Sequence, residues 1–279
     1  MRALVELVRA PAALTVPGDS LVGAAVSGRP LSGATAGLAA ASVCLYWAGM
    51  ALNDYADREL DAVERPERPI PSGRVRPSTA LGIATGLTAA GLGLATAAGG
   101  TKALRVAVPL AATVWAYDLA LKDTPLGPVA MAAARALDVL LGADVVRAAV
   151  PAALTVGAHT LAITVLSRSE VSGATRTLPA TTAAASGAIG LVAMKIGASH
   201  PVLGGVLLGG YSVTVGSAHL AAARDPVPRQ VRRAVGAGIH GMIPLQAGLI
   251  ARAGAWRTAL AVAALFPLAR KLSRKVSPT

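Results

Sequence analysis

Asn53-Asp54-Tyr55-Ala56-Asp57-Arg58-Glu59-Leu60-Asp61 closes one long apolar run and opens a polar loop. Asn53, Asp57 and Asp61 fall four residues apart, so a helix continuing through the stretch stacks their side chains on one face. Three oxygen donors on one face repel each other unless a cation sits between them. Hard oxygen ligands suit Mg²⁺, which keeps several waters and is typically completed by substrate phosphates. The residues that follow are Glu64-Arg65-Pro66-Glu67-Arg68-Pro69-Ile70-Pro71-Ser72-Gly73-Arg74. They cannot be helical, because Pro66, Pro69 and Pro71 remove donors and force extended backbone. The result is a stiff loop that brings guanidinium groups beside the carboxylates, where they can fork onto phosphate oxygens. The plainer alternative is a solvated loop whose charges pair internally and fix topology. An acidic triad at helical spacing, followed at once by arginines, weighs against it.

Working outward, the chain is 54% hydrophobic and only 14% charged over 279 residues, with mean hydropathy +0.58. A soluble domain carries about 25% charged residues, so this chain has too few polar side chains to cover a water-facing surface. Apolar spans recur near 11–28, 33–53, 77–98, 102–120, 126–146, 149–167, 180–198, 201–222 and 235–252, with a shorter one near 255–271. A hydrocarbon slab needs about 20 mostly apolar residues per helix, and abundant Gly and Ala let such helices approach closely. The expected fold is an all-α, polytopic transmembrane bundle of nine helices in a single domain over 1–279. A tenth membrane-associated segment and a basic tail are expected over 255–279.

Connections after the odd-numbered spans are tight, whereas those after the even-numbered spans hold the long polar loops. Those loops and the N-terminus share one face, which carries Arg2, Arg9, Arg58, Arg65, Arg68, Arg74, Arg76, Lys122, Arg168, Arg176, Arg224, Arg229, Arg232 and Arg233. Through the eighth span the other face holds only Arg29, Lys102, Arg105 and Arg147. Excess Lys and Arg mark the cytoplasmic side, so the polar face is expected to look into the cytoplasm from the cell membrane. The formal charge of +12 therefore serves topology and anionic lipid, with no nucleic acid as partner. Cys44, the one cysteine, lies in an apolar run and excludes disulfide frameworks and thiolate metal sites. The first ten residues contain Glu6 and precede a Pro-broken apolar run, so they read as an interfacial segment rather than a cleaved signal.

The run NDYADRELDAVERPERPIPSGRV resembles the first aspartate-rich motif of the UbiA superfamily of intramembrane prenyltransferases, NxxxDxxxD followed by an Arg-Pro-rich stretch. The resemblance extends over nearly the whole chain in helix number and loop placement. It implies that Asn53, Asp57 and Asp61 bind Mg²⁺ carrying a prenyl diphosphate, with Arg68 near the diphosphate. Tyr117 to Lys122, after the fourth span, is similar to the family's tyrosine-and-lysine motif. Lys122 is a compact cation suited to a diphosphate oxygen or, more plainly, an interfacial anchor. Asp118 and Asp123 are further candidate ligands. The family usually carries a second DxxxD after the sixth span, where this chain has only Glu170, between Arg168 and Arg176. Either Glu170 completes a reduced metal site, or Arg168 and Arg176 neutralise diphosphate in place of a cation. This pattern, with Ala134 to Ala143, looks closest to the EboC-like subgroup.

Within the fifth span Arg135 and Asp138 lie three apart and can pair. Ionisable groups in a span are costly and usually face a cavity, so both are expected to line an acceptor pocket or else to pin two helices together. His159, Lys195, His240 and Gln246 read as structural polar residues. Tyr46, Trp47, Tyr55, Trp115 and Tyr117 gather near the motif, in an aromatic belt or as ring faces around a cation. The parts together describe a Mg²⁺-dependent transferase that ionises a prenyl diphosphate and hands the allylic cation to an unidentified acceptor. The competing readings are a terpene cyclase on the same scaffold, a CDP-alcohol phosphotransferase, and a transporter. The phosphotransferase lacks its DG-x-x-A-R run here. A transporter would place its carboxylates near the midplane.

Overall fold

The computed structural model describes residues 2–273, and every regular element among them is helical. Arg274 and Lys275 of the expected basic tail lie outside the described residues. The chain opens with α1 (Arg2–Leu7) and a 3₁₀ segment (Ala10–Thr15), then α2 (Pro17–Val26) and α3 (Gly33–Ala56). A short α4 (Arg58–Glu64) and the proline loop lead into α5 (Pro77–Ala116), which ends in a π-helical turn (Tyr117–Leu121). There follow α6 (Gly127–Gly142), α7 (Val146–Ser167), α8 (Thr177–Ala193), α9 (Pro201–Arg224), α10 (Pro228–Arg252), α11 (Trp256–Ala263) and α12 (Leu265–Ser273). Proline at the first or second position opens α2, α5, α6, α9 and α10, where its missing N–H costs no hydrogen bond.

The stretches 33–56, 146–167, 201–224 and 228–252 are each long and apolar enough to cross a membrane, as is the run 77–121. That last run is not one straight rod. Gly100 has φ 63° and ψ −156°, a conformation that a side chain would make costly, and there the chain reverses. Trp115 Nε1 consequently donates to Thr88 Oγ1 at 3.0 Å, across 27 residues of sequence. The halves 77–99 and 101–116 match the two spans expected there, and Leu38, Ala41 and Leu45 of α3 pack against Ala95, Ala103, Ala107 and Leu110. By contrast, the stretch 255–271 does not form one continuous helix. It breaks at Ala264, because Pro267 has no N–H and its ring crowds the carbonyl one turn back.

Two features lock α2 into the bundle. A Cβ on Gly142 would lie 1.8 Å from the Ser20 carbonyl oxygen, and one on Gly23 would lie 1.8 Å from that of Val139. Only hydrogen fits at either crossing of α2 and α6. Asp19, fully buried in the first turn of α2, faces Arg135 Nε of α6 at 2.8 Å and accepts from Gln246 Nε2 of α10 at 2.7 Å. Arg135 and Gln246 also donate to the Thr15 carbonyl. Three helices thus converge on one carboxylate. On the other side of α10, His159 of α7 contacts Tyr211 of α9 and the Gly238 carbonyl, each at 3.0 Å. That carbonyl can only accept, so His159 Nε2 donates to it and Nδ1 accepts from the tyrosine hydroxyl. His159 thus engages neighbouring helices through both ring nitrogens, and Gln246 through its amide nitrogen.

Two substitutions test this packing through thermal unfolding in detergent. Gly142→Val is expected to cost more than the ~1–3 kcal/mol of ordinary overpacking, because its clash is with backbone. Gly93→Val, with open space around it, should stay within about 0.5 kcal/mol of that helix position's propensity change. Asp19→Asn leaves the Arg135 guanidinium without a counter-charge and is expected to cost about 3–5 kcal/mol. Unfolding curves that match the parent would contradict the assigned roles.

Candidate functional site

The end of α3 is where the chemistry collects. Its hydrogen-bond ladder runs on into α4: the amides of Asp57, Asp61 and Arg65 bond the carbonyls four residues back at 2.9, 2.8 and 2.8 Å. Asp57, at φ −86° and ψ 2°, bends the rod without breaking it. Asn53, Asp57 and Asp61 therefore follow one another at helical spacing, as the motif predicts. The proline loop then folds back, its return fastened by Val75 N–H to the Pro69 carbonyl at 2.9 Å.

Cations arrive from three separate stretches of chain. Arg68 Nη1 of the proline loop meets Asp61 Oδ2 at 2.7 Å and Asp54 Oδ1 at 3.3 Å. Arg9 Nη2, from the residue before the 3₁₀ segment, meets Asp54 Oδ1 at 3.2 Å and Asn53 Oδ1 at 3.3 Å. Lys122 Nζ, beyond the π-helical turn, pairs with Asp57 Oδ1. Asn53 Nδ2 donates to Asp118 Oδ1 at 3.3 Å. Arg9 adopts left-handed backbone, φ 45° and ψ 48°, and is the one described non-glycine residue to do so. Such backbone costs on the order of 1–3 kcal/mol and persists only where its surroundings impose it.

Below this mouth lies a cavity of ≈ 350 Å³, enclosed by the 3₁₀ segment, α3, α5, α6, α7 and α10. Arg9, Tyr117 and Asp118 border its upper end, and Leu45, Tyr46, Gly49, Met50, Leu110 and Val114 its middle. Arg135, Asp138, Ser42 and His159 border its deep end. The walls are mainly apolar, with the charged groups at the two ends and hydroxyls of Tyr46, Thr160 and Thr164 between them. Such a shape suits a molecule with one charged head and a hydrocarbon body.

The structure therefore gathers Asn53, Asp57, Asp61, Arg68, Lys122 and Tyr117 at one place, with Arg135 and Asp138 in the same cavity. Four other candidates go elsewhere. Arg74 pairs with Glu6 at 2.5 Å and donates to the Glu67 carbonyl, so it clasps the N-terminal helix. Arg168 turns to the carbonyls of Lys122, at 2.9 Å, and Thr124, fixing the loop that presents Lys122. Arg176 is exposed ahead of α8. Glu170 is half-buried, which raises its carboxyl above the usual range, while Arg232 of α10 opposes the shift.

Two expectations need correction. No three acidic, imidazole or thiol side chains among the described residues converge to hold a metal ion, so a second site completed by Glu170 has no such cluster behind it. Glu170 has Arg232 of α10 as its charged neighbour. The Arg135–Asp138 pair does not form either, because Arg135 is claimed by Asp19 while Asp138 Oδ2 accepts from Ser42 Oγ at 2.5 Å. Sequence reasoning missed Arg9, Asp54, Asp19 and Ser42. Asp19 carried a signal, being a lone acid in an apolar span. Arg9 carried none, since only tertiary folding brings it to Asn53.

The UbiA prenyltransferase family matches residues 15–232 of the chain. The digeranylgeranylglyceryl phosphate synthase of Methanopyrus kandleri is 43% identical over 131 residues, which covers 45% of this chain and 46% of that protein. The chain thus spans about half the length of that relative. A solved structure of digeranylgeranylglyceryl phosphate synthase in membranes superposes with a TM-score of 0.68 at 17% identity, covering 90% of this chain and 98% of the other. A UbiA homologue from Archaeoglobus fulgidus, bound to GPP and Mg²⁺, gives 0.59 at 15% identity, covering 94% and 99%. These likenesses carry the fold, and the match over 15–232 carries the kinship: this multi-pass membrane protein belongs to the UbiA prenyltransferase family.

Proposed function

We propose that the chain transfers a prenyl group from a prenyl diphosphate to a small or lipid-like acceptor, using Mg²⁺, at the cytoplasmic face of the cell membrane. The observation that carries this reading is a pair of carboxylates stacked along a helix end, ringed by cations, directly above a mainly apolar cavity. The name of the Methanopyrus relative and the GPP and Mg²⁺ held by the Archaeoglobus neighbour support it. The whole chain, 1–279, would act as one domain, with its C-terminal segment resting on the lipid bilayer. The lysine and arginine excess at the motif end supports the cytoplasmic orientation.

The donor set fits Mg²⁺. Among the described residues, Asp57 and Asp61 each commit one oxygen to a cation and keep the other free of side-chain donors, and Asp118 adds a carboxyl group that bonds Asn53 and no cation. Asp57, Asp61 and Asn53 would hold the ion, which supplies positive charge to a leaving diphosphate. Lys122 and Arg68 then exchange a carboxylate for phosphate oxygens. Arg's planar fork suits two such oxygens and Lys a single one. Fixed cations of this kind stabilise charge as it builds on the leaving group. The apolar walls hold the prenyl tail and keep water from the allylic cation, and Tyr46 and Tyr117 offer ring faces to it. Arg135 and Asp138 line the acceptor's part of the cavity.

Purified protein incubated with geranyl diphosphate and Mg²⁺ is expected to consume the donor, and chelation to stop it. Asp57→Ala and Asp61→Ala should each slow consumption by at least about 100-fold while leaving insertion intact. Wild-type rates in both would overturn the assignment. Glu170→Gln, at a half-buried site outside the Asp57–Asp61 cluster, is expected to leave the Mg²⁺ requirement unchanged. Release of a cyclic hydrocarbon from the donor alone would favour the cyclase over the transferase.

A further inference from the structure

Among the described residues that line the cavity, Asp138 carries a buried oxygen with no hydrogen-bond partner. It is 5% exposed, and its Oδ2 accepts from Ser42 Oγ. Its Oδ1 is buried with no hydrogen-bond partner. An unsatisfied buried acceptor costs about 1–3 kcal/mol, and more when it belongs to a carboxylate in a membrane span. The neighbouring cation does not relieve it, because Arg135 is held by Asp19 and the Thr15 carbonyl. His159 does not relieve it either, being spent on Tyr211 and Gly238.

Position decides what the free oxygen serves. Ser42 precedes Asn53 by eleven residues on α3 (42 to 53), which places the Ser42–Asp138 pair about 16 Å below the metal motif along the helix axis. That depth accommodates a diphosphate head and one ring-sized molecule in series, with Leu45, Tyr46 and Gly49 alongside. A hydrocarbon tail ending on Asp138 would leave its oxygen unsatisfied. An anionic group there would bring further acceptor oxygens to the unpartnered oxygen of Asp138, with Arg135 already neutralised.

We infer that Ser42 and Asp138 form the recognition end of the acceptor subsite and select a small acceptor that presents a hydroxyl or amine hydrogen to Asp138, on the side away from its reacting atom. This rests on the prenyl-transfer reading and adds the acceptor's chemical class. Ser42 fixes the carboxylate by donating to one oxygen, which leaves the other to the ligand. Anionic acceptor heads are excluded from the deep end.

Three matched probes test it with the full-length protein in detergent: 4-hydroxybenzyl alcohol, 4-methylphenol and 4-hydroxybenzoate, each offered with geranyl diphosphate and Mg²⁺. Wild type is expected to bind the alcohol at least about tenfold more tightly than the other two, since a site built for a hydroxyl rejects analogues lacking it. Asp138→Asn removes the charge at constant shape, and the preference for the alcohol over the benzoate should fall by at least about tenfold. Ser42→Ala frees the Asp138 carboxyl group to turn and should lower the preference by a smaller factor than Asp138→Asn does. Calorimetric binding of geranyl diphosphate with Mg²⁺ in each variant reports an intact fold. If wild type neither binds nor consumes geranyl diphosphate, the prenyl-transfer reading fails. If it does, but the alcohol gains no preference or Asp138→Asn leaves the preference unchanged, the acceptor assignment alone is overturned.

Discussion

The ion pairs that join Asp54, Asp57 and Asp61 to Arg9, Arg68 and Lys122 bring three distant stretches of chain to one point. Carboxylates at the end of a membrane helix cannot stand alone, because an uncompensated charge removed from water costs far more than any one contact returns. Their neutralisation fixes the proline loop through Arg68, the N-terminal segment through Arg9 and the turn after α5 through Lys122. The left-handed backbone at Arg9 shows that this convergence is strong enough to impose an unfavoured conformation. The same pairs close the top of the cavity, so what holds the fold at this end also forms the entrance to the site.

A second set of charges sits in the membrane interior under a stricter version of the same constraint. Asp19 takes the charge of Arg135 and a hydrogen bond from Gln246, which pins α2 to α6 and α10. Asp138 is left one donor short. In a medium without water such a deficit has to be met by a ligand or carried as a permanent cost, and a cavity beside it makes the first possible. The polar groups therefore divide into a charge-balanced support and an open recognition point, only one helical turn apart on α6.

Much of this was legible in the residues. The apolar spans and the break between the two halves of α5 follow from hydropathy and glycine placement. The i, i+4 spacing of Asn53, Asp57 and Asp61 fixes the direction of the motif. The partners of the charges were not legible. Spacing made Arg135 and Asp138 look like a pair, yet a carboxylate on a different helix wins the arginine, because helix crossing and not sequence distance decides who is nearest. Glu170 stood where a second metal cluster is usual, and its charged neighbour is Arg232 from α10, a residue far away in sequence. Arg9 reaches the site only because the 3₁₀ segment turns there. Long-range ion pairs depend on tertiary placement, which no local pattern encodes.

The central claim is that a divalent ion on Asp57 and Asp61 grips the diphosphate at the mouth of the cavity. Mn²⁺ in place of Mg²⁺ makes this directly observable by electron spin resonance on purified protein with bound geranyl diphosphate. The account predicts ³¹P hyperfine coupling between the metal and the diphosphate that disappears in Asp61→Ala. Protein-bound Mn²⁺ with no phosphorus coupling, or coupling that survives loss of both aspartates, would contradict it.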